Sequence, residues 1–116
     1  MKTLIVDCSP AVREHLIELV AHVETIEVVG QAGCKAEAVE AIASLSPDVI
    51  VLDPVTQGGG VEDLREIKQA APGAKIVTLL FYPHSRQAAT YLHAGADVVL
   101  DKLTEVGRVG EVLAGL

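Results

Sequence analysis

Three apolar runs in this chain end in charge. "TLIVD" ends at Asp7, "DVIVLD" ends at Asp53, and "DVVLDK" ends at Asp101 and Lys102. An aspartate carboxylate is a nucleophile and a hard oxygen donor for a cation; a lysine ammonium is a mobile point charge for an anion. Two such carboxylates and one ammonium in a single pocket form a set that can bind and transform a charged ligand. "PVTQGGG" follows Asp53, and its glycines let the chain turn sharply away from the acid. Whether the three charges meet depends on the elements that carry them.

"KTLIVD" (2–7) is a short β-branched run and predicts a buried strand. In "SPAVREHLIELVAHV", Ser9 can cap a helix and Pro10 suits its first turn, while Val12, Leu16, Leu19 and Val23 recur at helical spacing. "TIEVVGQAG" (25–33) is a second strand with a glycine break. "CKAEAVEAIASLS" (34–46) is a helix that buries Ala38, Ile42 and Leu45 and stops before Pro47. "DVIVLD" (48–53) is the most apolar strand and belongs at the centre, covered on both faces. A helix over 61–71 turns Leu64 and Ile67 inward. "KIVTLLF" (75–81) is strand four, and 85–95 is a helix ended by Gly95. "DVVL" (97–100) is strand five, and 104–114 is the last helix.

A strand–helix unit repeated five times, with crossovers this short, demands a parallel sheet with helices on both faces. Ligands bind such sheets beyond the carboxyl ends of the strands, where the strand order reverses. Asp7, Asp53 and Lys102 all lie at carboxyl ends. If strands one, three and five lie near each other, the three charges share one pocket.

The bulk numbers narrow the partners. The chain has 116 residues and a formal charge of −7, with nine basic residues spread along it. That length suits one domain, 1–116. An acidic chain without a basic cluster is a poor partner for nucleic acid or an anionic membrane. No apolar run approaches a membrane span, and "MKTLIVDCS" enters a strand pattern at once rather than a signal peptide. Cys8 and Cys34 have neither disulfide-framework nor metal-ligand spacing, so they read as reduced thiols of a cytoplasmic protein.

The motifs together resemble the receiver domain of bacterial two-component response regulators. "LIVDCSPAVREHL" resembles the family's opening, in which two adjacent acids precede a helix. "PDVIVLD" resembles the strand that carries the phosphoacceptor aspartate. "HAGADVVLDK" resembles the segment leading to the family's lysine. The resemblance covers the whole chain. It implies a flavodoxin-like (CheY-like), doubly wound five-stranded parallel α/β sheet in the order 2-1-3-4-5 with five helices. It maps Asp53 to the phosphoacceptor, Lys102 to the conserved lysine, and Asp7, Asp53 and the backbone carbonyl of Val55 to a Mg2+ site. It implies a signalling role rather than an enzyme. The phosphoryl group would come from a sensor histidine kinase or phosphotransfer protein. A downstream protein or output domain would dock on helix four, strand five and helix five, where Arg86, Tyr91, Val98, Val99 and Arg108 fall. Homodimerisation through the last helices is left open.

Several positions depart from the family pattern. Cys8 replaces the second acid, and a neutral thiol is a poor partner for a hard cation, which weakens magnesium binding. Leu80 stands where the family uses Thr or Ser and has no hydroxyl for a phosphoryl oxygen. Val99 replaces a Tyr or Phe. Leu103 replaces the proline after the lysine, which removes the reason for a cis peptide there. Pro54 follows Asp53 directly, Gln57 falls where proline is frequent, and Gly60 comes one residue early. These departures favour a second reading, a phosphorylation-independent pseudo-receiver that acts as an interaction module. A flavin or cobalamin domain on the same fold is a third. "DCSPAV" lacks the phosphate-cradling glycine a flavin wants, and the Asp-x-His-x-x-Gly pattern of cobalamin modules is absent.

The remaining polar residues have bland readings. Asp53 and Asp7 can serve as strand-end carboxylates that cap a loop, and Lys102 as their ion partner. Asp101 points away from Lys102 by strand alternation. Cys8 reads as a small, inert, half-buried thiol. His15 and His22 read as solvated, His84 and Tyr82 as a pocket rim with His84 exposed in its loop, and His93 as packing. Glu14, Glu18, Glu62, Asp63 and Glu66 read as solvated helix faces.

Overall fold

The structure is a computed structural model and describes residues 1–54, 60–81 and 83–116. Val55, Gln57 and Tyr82 lie outside the described residues. The elements run β1 (Lys2–Val6), α1 (Pro10–Val20), β2 (Glu27–Ala32), α2 (Lys35–Leu45), β3 (Val49–Leu52), α3 (Gly60–Ala70), β4 (Lys75–Leu80), α4 (Ser85–Ala94), β5 (Val98–Asp101) and α5 (Val109–Ala114), the last entered through a 3-10 turn over Val106–Arg108. The strands form one parallel sheet in the order β2-β1-β3-β4-β5. Sheet, order and helix count match what the family resemblance implies.

Strand alternation divides the apolar residues between two cores. Leu4, Val6, Ile50, Leu52, Ile76 and Leu80 face one side, where Ala38 and Ile42 of α2 and Leu64 and Ile67 of α3 cover them. Ile5, Val49, Val51, Val77, Leu79 and Leu100 face the other, under Leu16 and Val20 of α1 and Val109 and Leu113 of α5. All of β3 is buried because both faces are covered, which explains its unbroken apolar run. Ser9 caps α1 by accepting a hydrogen bond from the Val12 amide at 3.3 Å, and Pro10 opens the helix.

The last helix is shorter than its periodicity suggests. Residues 102–105 form turns, held by local side chains that compete with helix. The Leu103 amide donates to the Asp101 carboxylate at 2.9 Å, and the Asp101 amide donates to Glu105 Oε1 at 3.0 Å. Asp101 is therefore engaged in its own turn. No cis peptide occurs among the described residues.

Gly95 closes α4 at φ +123°, a conformation L side chains rarely adopt, and its amide bonds back to Leu92 O at 3.2 Å. A Cβ there would stand 2.9 Å from Lys68 Cγ. Gly95→Ala should cost about 1–2 kcal/mol, the scale of forcing an L residue into left-handed backbone. Urea unfolding should show a lower midpoint at unchanged slope; an unchanged midpoint would refute the conformational argument.

Candidate functional site

The strand ladder continues one residue past β1, β3 and β5 and so fixes the three charged residues at the sheet edge. The Asp7 amide donates to Ala32 O at 3.0 Å, the Asp53 amide to Val6 O at 2.9 Å, and the Lys102 amide to Leu80 O at 2.7 Å. The backbone is thus committed before any side chain interacts. Asp7 and Asp53 are 1% and 4% exposed, and Lys102 is 9% exposed.

The side chains meet as the sequence suggested. Lys102 Nζ donates to Asp7 Oδ2 at 2.6 Å and to Asp53 Oδ2 at 2.6 Å. The other Asp7 oxygen accepts from the Ser9 amide at 2.9 Å, and Arg13 donates to the Asp7 backbone carbonyl at 2.5 Å. Burial opposes the charged form of Lys102. Its hydrogen bonds to Asp53 and Asp7, with their charges, outweigh that and hold its pKa above the ordinary lysine value. The ammonium also lies over the Phe81 ring, 5.0 Å from the centroid. Phe81 is half exposed, and its signal in the sequence is an aromatic residue directly beyond the apolar run of β4.

Several sequence expectations fail here. Asp63 is buried, not solvated: it sits in the first turn of α3, lines a small cavity with Asp53, Cys34 and Lys35, and has the Lys35 ammonium 3.7 Å away. The α2–α3 packing turns that first turn inward. Tyr91 is also buried and packs in the first core, so it does not belong to an open helix-four surface. Cys8 is exposed rather than half-buried, because it falls where the chain leaves β1 for α1. His93 is exposed on the last turn of α4 instead of packing. His84 is exposed as expected, and its Nδ1 caps α4 by accepting from the Gln87 amide at 3.1 Å. His15 and His22 are exposed, His22 just beyond the end of α1.

The donor chemistry suits a hard divalent cation that keeps most of its waters: two adjacent buried carboxylates offer oxygen, and exposed Cys8 adds no oxygen. Among the described residues no cluster of three or more His, Cys, Asp or Glu forms a fuller cage. Leu80 is fully buried with no hydroxyl to offer, and Val99 is half-buried against the first core.

The response regulator receiver domain family matches residues 3–113. The chain belongs to that family. It is 31% identical over 103 residues to the response regulator GacA of Pseudomonas aeruginosa, covering 88% of this chain and 48% of that protein. It thus spans about half the length of that relative. The isolated receiver domain of RcsB from Salmonella enterica superposes with a TM-score of 0.89 at 19% identity, over 98% of this chain and 86% of that one. The response regulator domain of Thermotoga maritima CheB gives a TM-score of 0.82 at 24% identity, over 99% and 91%. These two likenesses concern the fold; the family match makes this a receiver domain of two-component signalling.

Removing the shared cation would leave two buried carboxylates facing each other. Lys102→Met should therefore destabilise the receiver by about 3–5 kcal/mol at neutral pH. Adding Asp7→Asn should recover part of the loss. The lysine's folded pKa is raised, so its contribution is fully present below the ordinary value of 10.5 and fades as pH climbs through the folded value. The gap in unfolding free energy between wild type and Lys102→Met should stay level from neutral pH to about pH 9 and shrink only in the alkaline limb. A gap that closes below pH 9 would contradict the ion-pair account.

Proposed function

We propose that Asp53 is the phosphoacceptor of this receiver domain and that Lys102 holds the transferred group. The observation that carries this is the single ammonium 2.6 Å from both Asp7 and Asp53 at the carboxyl edge of the sheet. An Asp53 oxygen attacks the donor phosphorus, the bond from phosphorus to the donor breaks, and the donor keeps the electron pair. The product is an acyl phosphate. Lys102 then trades its bond to Asp53 for one to a phosphoryl oxygen while keeping Asp7.

Transfer of this kind depends on charge neutralisation more than on covalent help. Asp7 and Asp53, with the Val55 carbonyl, would hold Mg2+, which supplies that neutralisation when bound. Cys8 leaves this cation less tightly held than a second acid would. The donor is a histidine kinase or phosphotransfer protein, and the chain acts through protein contacts rather than as an enzyme. Val98, Val99 and Arg108 form part of the docking face on β5 and the turn before α5. Among the described residues no helix is long and apolar enough to cross a membrane; a cytoplasmic location belongs to the same proposal.

The buried, hydroxyl-free Leu80 and the exposed Cys8 favour a second reading, an interaction module that works without phosphorylation. One experiment separates the two. The protein is incubated with a small phosphodonor and magnesium, and its intact mass is read beside Asp53→Asn. A phosphate-sized gain in wild type that is absent from the variant is the expected result. No gain, under conditions that label an ordinary receiver, would leave Asp53 and Lys102 as a structural ion cluster.

A further inference from the structure

Tyr91 is the only buried residue of α4, at 6% exposure. Its ring packs in the first core with Leu80 and Ala96, and Val99 lies against the same cluster. Its hydroxyl reaches the start of α3. A Cβ built on Gly60 would stand 3.1 Å from Tyr91 Oη, and Gly60 itself holds φ +46°. Gly60 begins α3 just after the connection that leaves Asp53, so the phenol occupies space that a side chain on α3 would otherwise fill. Burial keeps the phenol neutral, and the charges of Asp53 and Asp63 add to that effect, raising its pKa above 10.0. A neutral O–H donor on a core-packed ring thus stands at the first turn of α3, whose Asp63 lines a small cavity with Asp53.

We propose that Tyr91 is a positioning residue that couples the charge carried at Asp53 to helix α4. This deepens the phosphoacceptor reading and rests on it. The acyl phosphate carries up to two negative charges farther from the backbone than the carboxylate did. A neutral donor is drawn toward such a group, whereas the apolar Leu80 gives it nothing to bond. The Tyr91 hydroxyl cannot follow without its ring, and in a close-packed core a displaced ring transmits strain to the helix that carries it. A change at Asp53 is thereby passed to α4, on which the ring is the single buried anchor.

The test uses the whole chain with Tyr82→Phe, so that a fluorotyrosine reports position 91 alone. Fluorine NMR is recorded for this protein and for its Asp53→Asn and Asp7→Asn versions. The resonance should move clearly with Asp53→Asn and much less with Asp7→Asn, although both variants break one arm of the Lys102 bridge. No movement with Asp53→Asn, or equal movement with both, overturns the coupling. In a second measurement, amide exchange over Ser85–Ala94 is compared with and without phosphodonor and magnesium, at equal labelled fraction. Tyr91→Phe, which keeps the ring, should show less than half the wild-type change; a full change would overturn the proposal. If wild type is not labelled at all, the phosphoacceptor reading fails, and the fluorine comparison alone decides whether Tyr91 senses Asp53.

Discussion

Two carboxylates that are almost completely buried share one ammonium at the carboxyl edge of a parallel sheet. Taking any one of these ions out of water costs several kcal/mol, and only close, hydrogen-bonded pairing offsets that cost. The pairing in turn demands that β1, β3 and the turn after β5 end at the same level. Ladder hydrogen bonds from the amides of Asp7, Asp53 and Lys102 impose that level, so the geometry belongs to the backbone. The alternating apolar faces hold the strands in register beneath it.

This arrangement also makes the edge reactive. The cluster of Asp7, Asp53 and Lys102 keeps a net negative charge, and its two carboxylates share one ammonium. A ligand that brings positive charge relieves the carboxylates, and one that brings a phosphoryl group gives the ammonium a new partner. Phe81 lies under the ammonium and shields one side of it while leaving its own other face in water. The site is therefore held together by charges that a visiting group can redistribute, on a scaffold that does not have to move.

Much of this was legible in the amino acids, for reasons that can be named. The strands read correctly because Val and Ile runs have few alternatives when punctuated by Gly, Pro and Asp. The triad read correctly because a parallel sheet forces carboxyl ends to one edge. What escaped was decided by packing between helices. Asp63 looks like a solvated acid because its neighbours Glu62 and Glu66 are solvated, yet α2 brings Lys35 to it. Tyr91 hid in a polar helix, although Ala88 and Ala94 flank it at i±3, and one large side chain between two small ones is the mark of a knob. The late start of α5 came from the Asp101 and Glu105 side chains capturing backbone amides, a competition that periodicity does not register.

The helices of the first core are not anchored alike. The helix α3 buries Asp63, Leu64 and Ile67, whereas α4 buries Tyr91 alone. Regions with few buried apolar contacts open or shift at the lowest free energy, so α4 is the element on this face that can be displaced while the sheet stays fixed. A rigid edge that holds charge, beside a lightly anchored helix whose one anchor reaches toward that edge, divides the work between chemistry and motion. The absence of a hydroxyl at Leu80 and of an aromatic at Val99 then need not silence the domain. A phenol entering from α4 places both a hydroxyl and a ring on the movable element itself.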